Sequence, residues 1–149
     1  MMKSNLSLAI QIATEAHDGQ RDRGGAPYIL HPLRVMLAVE GDREKIAAVL
    51  HDVAEDCPEW PLARLREQPF SGAVCDALDA LTRRPGEDYW TFIGRCNADP
   101  IARSVKLADL RDNQDLTRIK NPTEKDAERV RKYVTASMIL LSGPSHDGQ

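Results

Sequence analysis

Six side chains in three short segments of this 149-residue chain have the types and spacing that metal chemistry requires. In the central segment a histidine stands beside an aspartate, and a pair of acidic residues follows one helical turn later. Another histidine lies upstream, and another aspartate lies downstream. The six residues are His31, His51, Asp52, Glu55, Asp56 and Asp109. Two imidazoles and two carboxylates can close around one divalent cation, and two further carboxylates can move protons beside it.

The predicted metal ligands are His31, His51, Asp52 and Asp109. Four nitrogen and oxygen donors without a thiolate suit Mn²⁺, Fe²⁺, Co²⁺, Ni²⁺ or Zn²⁺ better than Ca²⁺. A cation of this kind lowers the pKa of a bound water and polarises phosphorus. The residues therefore indicate a metal-dependent phosphohydrolase.

Glu55 and Asp56, one helical turn beyond two of the ligands, are predicted to position that water and move its proton. Two neighbouring carboxylates raise each other's affinity for a proton, although a bound metal opposes this effect.

The segment around His51 also has a simpler interpretation. At about 100° per residue, its apolar residues form one stripe and its polar residues lie opposite, within an arc of about 140°. The stripe comprises Ile46, Val49, Leu50 and Val53. A solvated polar face produces the same pattern in most amphipathic helices. For this helix alone, both interpretations remain open.

The other two ligand candidates have alternatives of their own. His31 is predicted just before a helix start, where capping or packing is the usual role of a histidine. Asp109 stands among apolar residues on nearly all sides of its helix, so its carboxylate is predicted to be buried and to need a cation. The alternative is an ion pair with Lys106, with Arg111 or with an arginine elsewhere in the chain.

The elements that position these residues are predicted to be helices, because apolar residues recur at helical spacing and strand-like alternation is absent. Asp42 is predicted to cap the third helix, and Thr123 with Asp126 to cap the last. Residues 19–27 are predicted to form a loop. The predicted helices cover residues 5–17, 32–39, 43–56, a short stretch ending at 68, 71–82, 88–97, 100–116 and 123–141.

We therefore predict a single all-α domain over residues 1–141, a compact multi-helix bundle, followed by a disordered tail at residues 142–149. A net charge of −3 and 5% aromatic residues disfavour nucleic acid as a partner. No membrane-spanning or signal segment is predicted. Three scattered cysteines favour a reducing, cytoplasmic location and small buried side chains over ligands. The composition leaves the oligomeric state open.

At these residues the chain resembles the HD superfamily of metal-dependent phosphohydrolases, and within it the hydrolase domain of the RelA/SpoT family and its small stand-alone homologues. The similarity extends from residue 16 to about residue 141. The matching segments are HDGQR (17–21), PYILHP (27–32), LHDVAED (50–56) and VKLAD (105–109), together with Asn113.

The resemblance implies specific roles and a reaction. It implies that the four ligands bind Mn²⁺ and that Glu55 and Asp56 activate the water. It further implies that Arg21 and Arg23 meet phosphates, and that Asn113 and Tyr133 line the nucleotide pocket. The implied reaction hydrolyses the 3′-pyrophosphate of (p)ppGpp, the nucleotide of the stringent response. The synthetase, TGS and ACT regions of the long family members are not found, so synthesis is not expected.

Two other functions remain open at this point. The same metal site would serve an HD phosphohydrolase acting on another nucleotide, and residues 108–113 look like those of small bacterial HD proteins whose substrate the motif does not specify. A catalytically silent nucleotide-binding module is the third possibility. The presence of all six candidate metal and acid–base residues disfavours it.

Overall fold

Helices joined by loops and turns make up residues 5–144, the part of the chain that the computed structural model describes. The helices are α1 (Asn5–Ala16), α2 (Leu30–Leu37), α3 (Asp42–Leu50), α4 (Val53–Asp56), α5 (Leu62–Arg66), α6 (Gly72–Ala80), α7 (Tyr89–Ala98), α8 (Pro100–Asn113) and α9 (Glu124–Ser142). A 3₁₀ turn, Leu116–Arg118, precedes α9. The only extended pairing within these residues is an isolated bridge between Arg21 and Pro27. The predicted all-α fold is confirmed.

Helix α3 lies at the centre of the fold and packs against α1, α2, α6 and α8. Its residues 46–50 are all buried. Full burial of a valine or leucine side chain contributes about 1.5–3 kcal/mol, so this apolar segment anchors the bundle. Because α3 ends inside the core, the residues that follow Leu50 start from a buried position.

Side-chain caps start several of the helices. The Ser71 hydroxyl accepts from the Val74 N–H at the start of α6, and the Asp99 carboxylate accepts from two N–H groups at the start of α8. Thr123 and Asp126 form the predicted reciprocal capping box of α9. Each such cap satisfies N–H groups that the helix itself leaves unpaired.

Several predicted helix boundaries are wrong. The helix predicted over residues 43–56 is two helices, because a turn at His51 and Asp52 interrupts the α-helical hydrogen bonding, although both residues keep right-handed helical backbone angles. His31 lies inside α2 rather than before it. Asp42 is the first residue of α3, and Gly41 is its N-cap with a φ of 89°, a conformation that glycine adopts without strain.

The predicted tail at residues 142–149 lies mostly outside the described residues, although Ser142 completes α9. Among residues 5–144, no helix combines the length and the apolar character needed to cross a membrane. The three cysteines are buried and free, as predicted.

Candidate functional site

The four predicted metal ligands meet at one point. His31 comes from α2, His51 and Asp52 from the turn between α3 and α4, and Asp109 from α8. One donor atom from each residue lies within 4.8 Å of the others. His31, His51 and Asp109 are buried, with 5%, 2% and 3% of their surface exposed. The interpretation that places His51 on a solvated polar face is therefore wrong, because α8 packs over this side of α3.

The imidazoles and carboxylates face each other directly. Nε2 of His31 is 2.9 Å from Oδ1 of Asp109 and 3.5 Å from Oδ2 of Asp52. Nε2 of His51 is 3.2 Å and 3.1 Å from the same two oxygens. All four donor atoms thus point into one small volume.

The second nitrogen of each imidazole determines what that volume can hold. Nδ1 of His51 is 2.6 Å from the carbonyl oxygen of Ala48, which can only accept, so Nδ1 carries a proton. Nδ1 of His31 is 2.7 Å from Oδ2 of Asp112 and donates in the same way. The Nε2 lone pairs would therefore face carboxylate oxygens unless a proton or a metal cation lies between them. This donor set fits a divalent transition metal.

Even before a metal binds, the carboxylates around the cluster stabilise positive charge on the two imidazoles. Burial lowers the pKa of His31, but hydrogen bonds with Asp109, Asp112 and Asp52 outweigh burial and raise the pKa to about 11.

Burial and the neighbouring carboxylates also have opposite effects on the pKa of His51. Burial lowers the pKa, and the charges of Asp52 and Asp109 raise it to about 10. Although burial acts in the opposite direction, nearby cations hold the pKa values of both aspartates well below their usual range. The carboxylates are thus ionised and available to a metal.

Three further side chains fix the two carboxylate ligands. The Tyr28 hydroxyl donates to Oδ2 of Asp52 at 2.6 Å. Lys106 Nζ donates to Oδ2 of Asp109 at 2.8 Å, and Asn113 Nδ2 donates to Oδ1 of Asp109 at 3.0 Å. The ion pair between Asp109 and Lys106, the alternative given above, therefore coexists with the cluster, because Lys106 uses Oδ2 whereas the imidazoles face Oδ1.

Glu55 and Asp56 lie on α4, immediately after the ligand Asp52, and both are exposed. Oε1 of Glu55 accepts from the backbone N–H of Arg83 at 3.1 Å. Partial desolvation and the charge of Asp52 raise the pKa of both carboxyl groups, although Arg83 opposes this at Glu55. A carboxyl group with a raised pKa is suited to proton transfer.

A cleft of about 300 Å³ adjoins the cluster and shares His31 with it, and Tyr28, the partner of Asp52, also lines this cleft. The structure brings the four predicted substrate-binding residues to this cleft. They are Arg21, Arg23, Asn113 and Tyr133. Arg21 and Arg23 are exposed on the predicted loop; Arg21 donates to the carbonyl of Gly25, and Arg23 lies 3.5 Å from Asp126.

The sequence analysis missed several residues of the site. Three more arginines line the cleft: Arg34, Arg118 and Arg129. Arg34 and Asp112 each lie three residues after a predicted ligand, a spacing that places side chains on one helix face and could have revealed them. Arg118 and Arg129 come from later elements, and no signal in the sequence connects them with the cluster.

The chain is similar in sequence to several known proteins. The chain is 34% identical over 146 residues to a probable GTP pyrophosphokinase from Mycobacterium leprae, a match covering 87% of this chain and 18% of the relative. It is 32% identical over 120 residues to a guanosine-3′,5′-bis(diphosphate) 3′-pyrophosphohydrolase from Aquifex aeolicus, covering 72% and 17%. It is 48% identical over 110 residues to the putative chloroplastic GTP diphosphokinase RSH1 of Oryza sativa, covering 69% and 12%.

No protein-family model matches the chain. The chain spans less than a fifth of the length of these three relatives. In sequence over most of its length, and in the all-α fold that assembles the histidine–aspartate cluster, the chain resembles the HD domain of the RelA/SpoT family.

Proposed function

We propose that this chain is a Mn²⁺-dependent (p)ppGpp 3′-pyrophosphohydrolase that releases pyrophosphate and GDP or GTP. The observation that carries the proposal is the position of the four-ligand cluster beside an arginine-lined cleft. The name of the Aquifex relative, a guanosine-3′,5′-bis(diphosphate) 3′-pyrophosphohydrolase, supports the choice of reaction.

In this proposal His31, His51, Asp52 and Asp109 hold the Mn²⁺. When bound, the metal would lower the pKa of a water and stabilise negative charge on the phosphoryl oxygens. Tyr28 keeps Asp52 oriented, while Lys106 and Asn113 keep Asp109 oriented. These contacts restrict the ligands before any substrate arrives.

Glu55 and Asp56 position the attacking water and accept its proton. The water oxygen forms a new bond to the phosphorus attached to the ribose 3′ oxygen, and the bond between that phosphorus and the 3′ oxygen breaks. The proton leaves the water for a carboxylate and reaches the departing 3′ oxygen. The raised pKa of both carboxyl groups suits this relay.

The nucleotide occupies the adjoining cleft. Arg21 and Arg23 meet its phosphates, and Asn113 and Tyr133 contact the nucleoside. Asn113 also donates to Asp109, so the side chain that contacts the nucleoside touches a metal ligand directly. The cleft volume of about 300 Å³ lies at the lower end of the range for small-molecule sites.

We further propose the cytoplasm as the compartment, supported by three free and buried cysteines. The proposed partner is the nucleotide alone, without nucleic acid or a membrane. The net charge of −3 supports the absence of a nucleic-acid partner.

The test is a substrate panel. The Mn²⁺-loaded protein is incubated with ppGpp, GDP, nucleoside monophosphates and NADPH, with Asp52→Ala as the control. The proposal expects pyrophosphate and GDP from ppGpp and no product from the control. Survival of ppGpp while another compound is hydrolysed would move the chain to a different HD activity. Nucleotide binding without any turnover would favour a silent module.

A further inference from the structure

The carboxylate of Asp112 connects the metal-ligand cluster with the adjoining cleft. Oδ2 of Asp112 lies 2.7 Å from Nδ1 of His31, on the side of the imidazole away from the cluster. The same carboxylate accepts from Nε of Arg34 at 2.8 Å and from Nη2 at 3.1 Å. Nη2 of Arg118 lies 3.3 Å from Oδ2 and donates to the backbone carbonyl of Asp112 at 2.8 Å. Asp112 therefore touches one metal ligand and two arginines of the cleft wall.

The burial of these groups makes the contacts restrictive. The Asp112 side chain is 12% exposed, whereas those of Arg34 and Arg118 are 33% and 32% exposed. Asp112 thus holds both arginines through ion pairs, and all three side chains line the cleft. Charge-assisted and bidentate hydrogen bonds of this kind are stronger and more directional than neutral ones.

The contact with His31 has a chemical consequence. A carboxylate that accepts from Nδ1–H fixes the imidazole in the tautomer whose Nε2 carries the lone pair, and it makes that lone pair a better donor. Loss of such a partner typically costs about 10-fold to 100-fold in metal affinity. His51 has only the neutral carbonyl of Ala48 in the equivalent place, so the charged partner belongs to His31 alone.

We propose that Asp112 is a positioning residue shared by the metal centre and the cleft. It orients His31 for the metal through Nδ1, and it holds Arg34 and Arg118 on the wall that faces an anionic ligand. This role rests on the metal centre proposed above but not on the identity of the nucleotide.

Asp115 offers a matched control. Its carboxylate lines the same cleft and pairs with Nη1 of Arg118 at 3.0 Å, while its own contacts run to Thr117 and Arg118 rather than to His31. Asp115→Ala therefore removes a carboxylate of the same charge from the same wall. Arg34→Gln is the second control, because it removes a partner of Asp112 and leaves the His31 contact in place.

The experiment measures Mn²⁺ binding from the electron paramagnetic resonance signal of free Mn²⁺, without any nucleotide. We expect Asp112→Ala to weaken Mn²⁺ binding by about 10-fold to 100-fold. Asp115→Ala and Arg34→Gln should stay within about threefold of the unmodified chain, a difference smaller than the loss of a charged partner produces. Thermal melting of each metal-free variant verifies that it is folded.

A second measurement isolates the orientation of His31 and applies even if metal affinity changes for another reason. In the Zn²⁺-loaded protein, long-range ¹H–¹⁵N correlations report which ring nitrogen carries the proton. We expect a slowly exchanging Nδ1 proton on His31 that is lost in Asp112→Ala and kept in Asp115→Ala.

Three outcomes would overturn the role. Unchanged Mn²⁺ affinity in a folded Asp112→Ala variant would show that His31 does not need this carboxylate. Equal losses of Mn²⁺ affinity in Asp112→Ala and Arg34→Gln would show that the effect arises from the arginine contacts of Asp112 rather than from its contact with His31. If the unmodified chain bound neither Mn²⁺ nor Zn²⁺, the proposal of a metal centre would itself be refuted. Mn²⁺ binding without ppGpp hydrolysis would refute only the proposed substrate.

Discussion

The buried ion pair between Lys106 and Asp109 allows metal binding and folding stability to be separated by mutation. Asp109→Asn removes the negative charge of a residue that is 3% exposed. Lys106, whose side chain is 14% exposed, then keeps a positive charge without its 2.8 Å partner. Breaking a buried pair in this way costs about 3–5 kcal/mol, because one charge remains buried and uncompensated.

The expected result for Asp109→Asn is a double loss. The free energy of unfolding of the metal-free protein should fall by about 3–5 kcal/mol, as measured by urea denaturation followed by circular dichroism. Mn²⁺ affinity should fall by about 100-fold or more, since a charged ligand becomes a neutral amide; each tenfold step corresponds to about 1.4 kcal/mol.

A second substitution distinguishes the two losses. Lys106→Met in the Asp109→Asn background removes the uncompensated cation and leaves an apolar side chain of similar length. Replacing both members of a buried pair by uncharged groups is often close to neutral, so the double variant should regain the part of the stability that Asp109→Asn lost through Lys106. It should not regain Mn²⁺ affinity, because the ligand is still missing.

Two results would refute this reasoning. If Asp109→Asn bound Mn²⁺ within threefold of the unmodified chain, Asp109 would not be a ligand. If the double variant were no more stable than Asp109→Asn alone, the cost would not arise from an uncompensated Lys106. Metal titrations on all variants, including Lys106→Met alone, complete the thermodynamic cycle.

Two further predictions concern the site, and a third concerns an ion pair outside it. Glu55→Gln should leave Mn²⁺ affinity within threefold and lower kcat by about 100-fold or more; metal loss without a specific rate defect would contradict its role. Tyr28→Phe removes the 2.6 Å bond to Asp52 and should weaken Mn²⁺ binding by about 10-fold, as measured by calorimetry; unchanged affinity would show that the bond does not orient the ligand. Hydrogen bonds from Arg95 lower the pKa of Glu87 from about 4.5 to about 2, although desolvation acts in the opposite direction. The stability from this pair is therefore fully present above about pH 4.5 and is lost as the pH falls towards 2. Urea midpoints measured from pH 6 to pH 2 should show a smaller decline for Glu87→Gln, and identical pH profiles would refute the assignment.

Much of the fold could be predicted from the chain itself, because the signals are local. The Thr123–Asp126 capping box closes within four residues, because both of its hydrogen bonds join residues that are neighbours along the chain. Apolar spacing likewise located most helices. The break at His51 and Asp52 could not be predicted, since the polar and apolar residues on both sides continue one helical pattern.

The chemistry of the site likewise depends partly on residue types and partly on tertiary packing. The sequence by itself determined which donors are available, namely two imidazoles, two carboxylates and a following acidic pair, because residue type sets what a side chain can bind or protonate. Only the tertiary structure decided that His51 is buried, since that depends on where α8 crosses α3. It also brought Asp112 to His31 across 81 residues of chain and placed Arg118 and Arg129 on the same cleft. Contacts over such separations depend on how the helices pack against one another, which no local pattern of residues encodes.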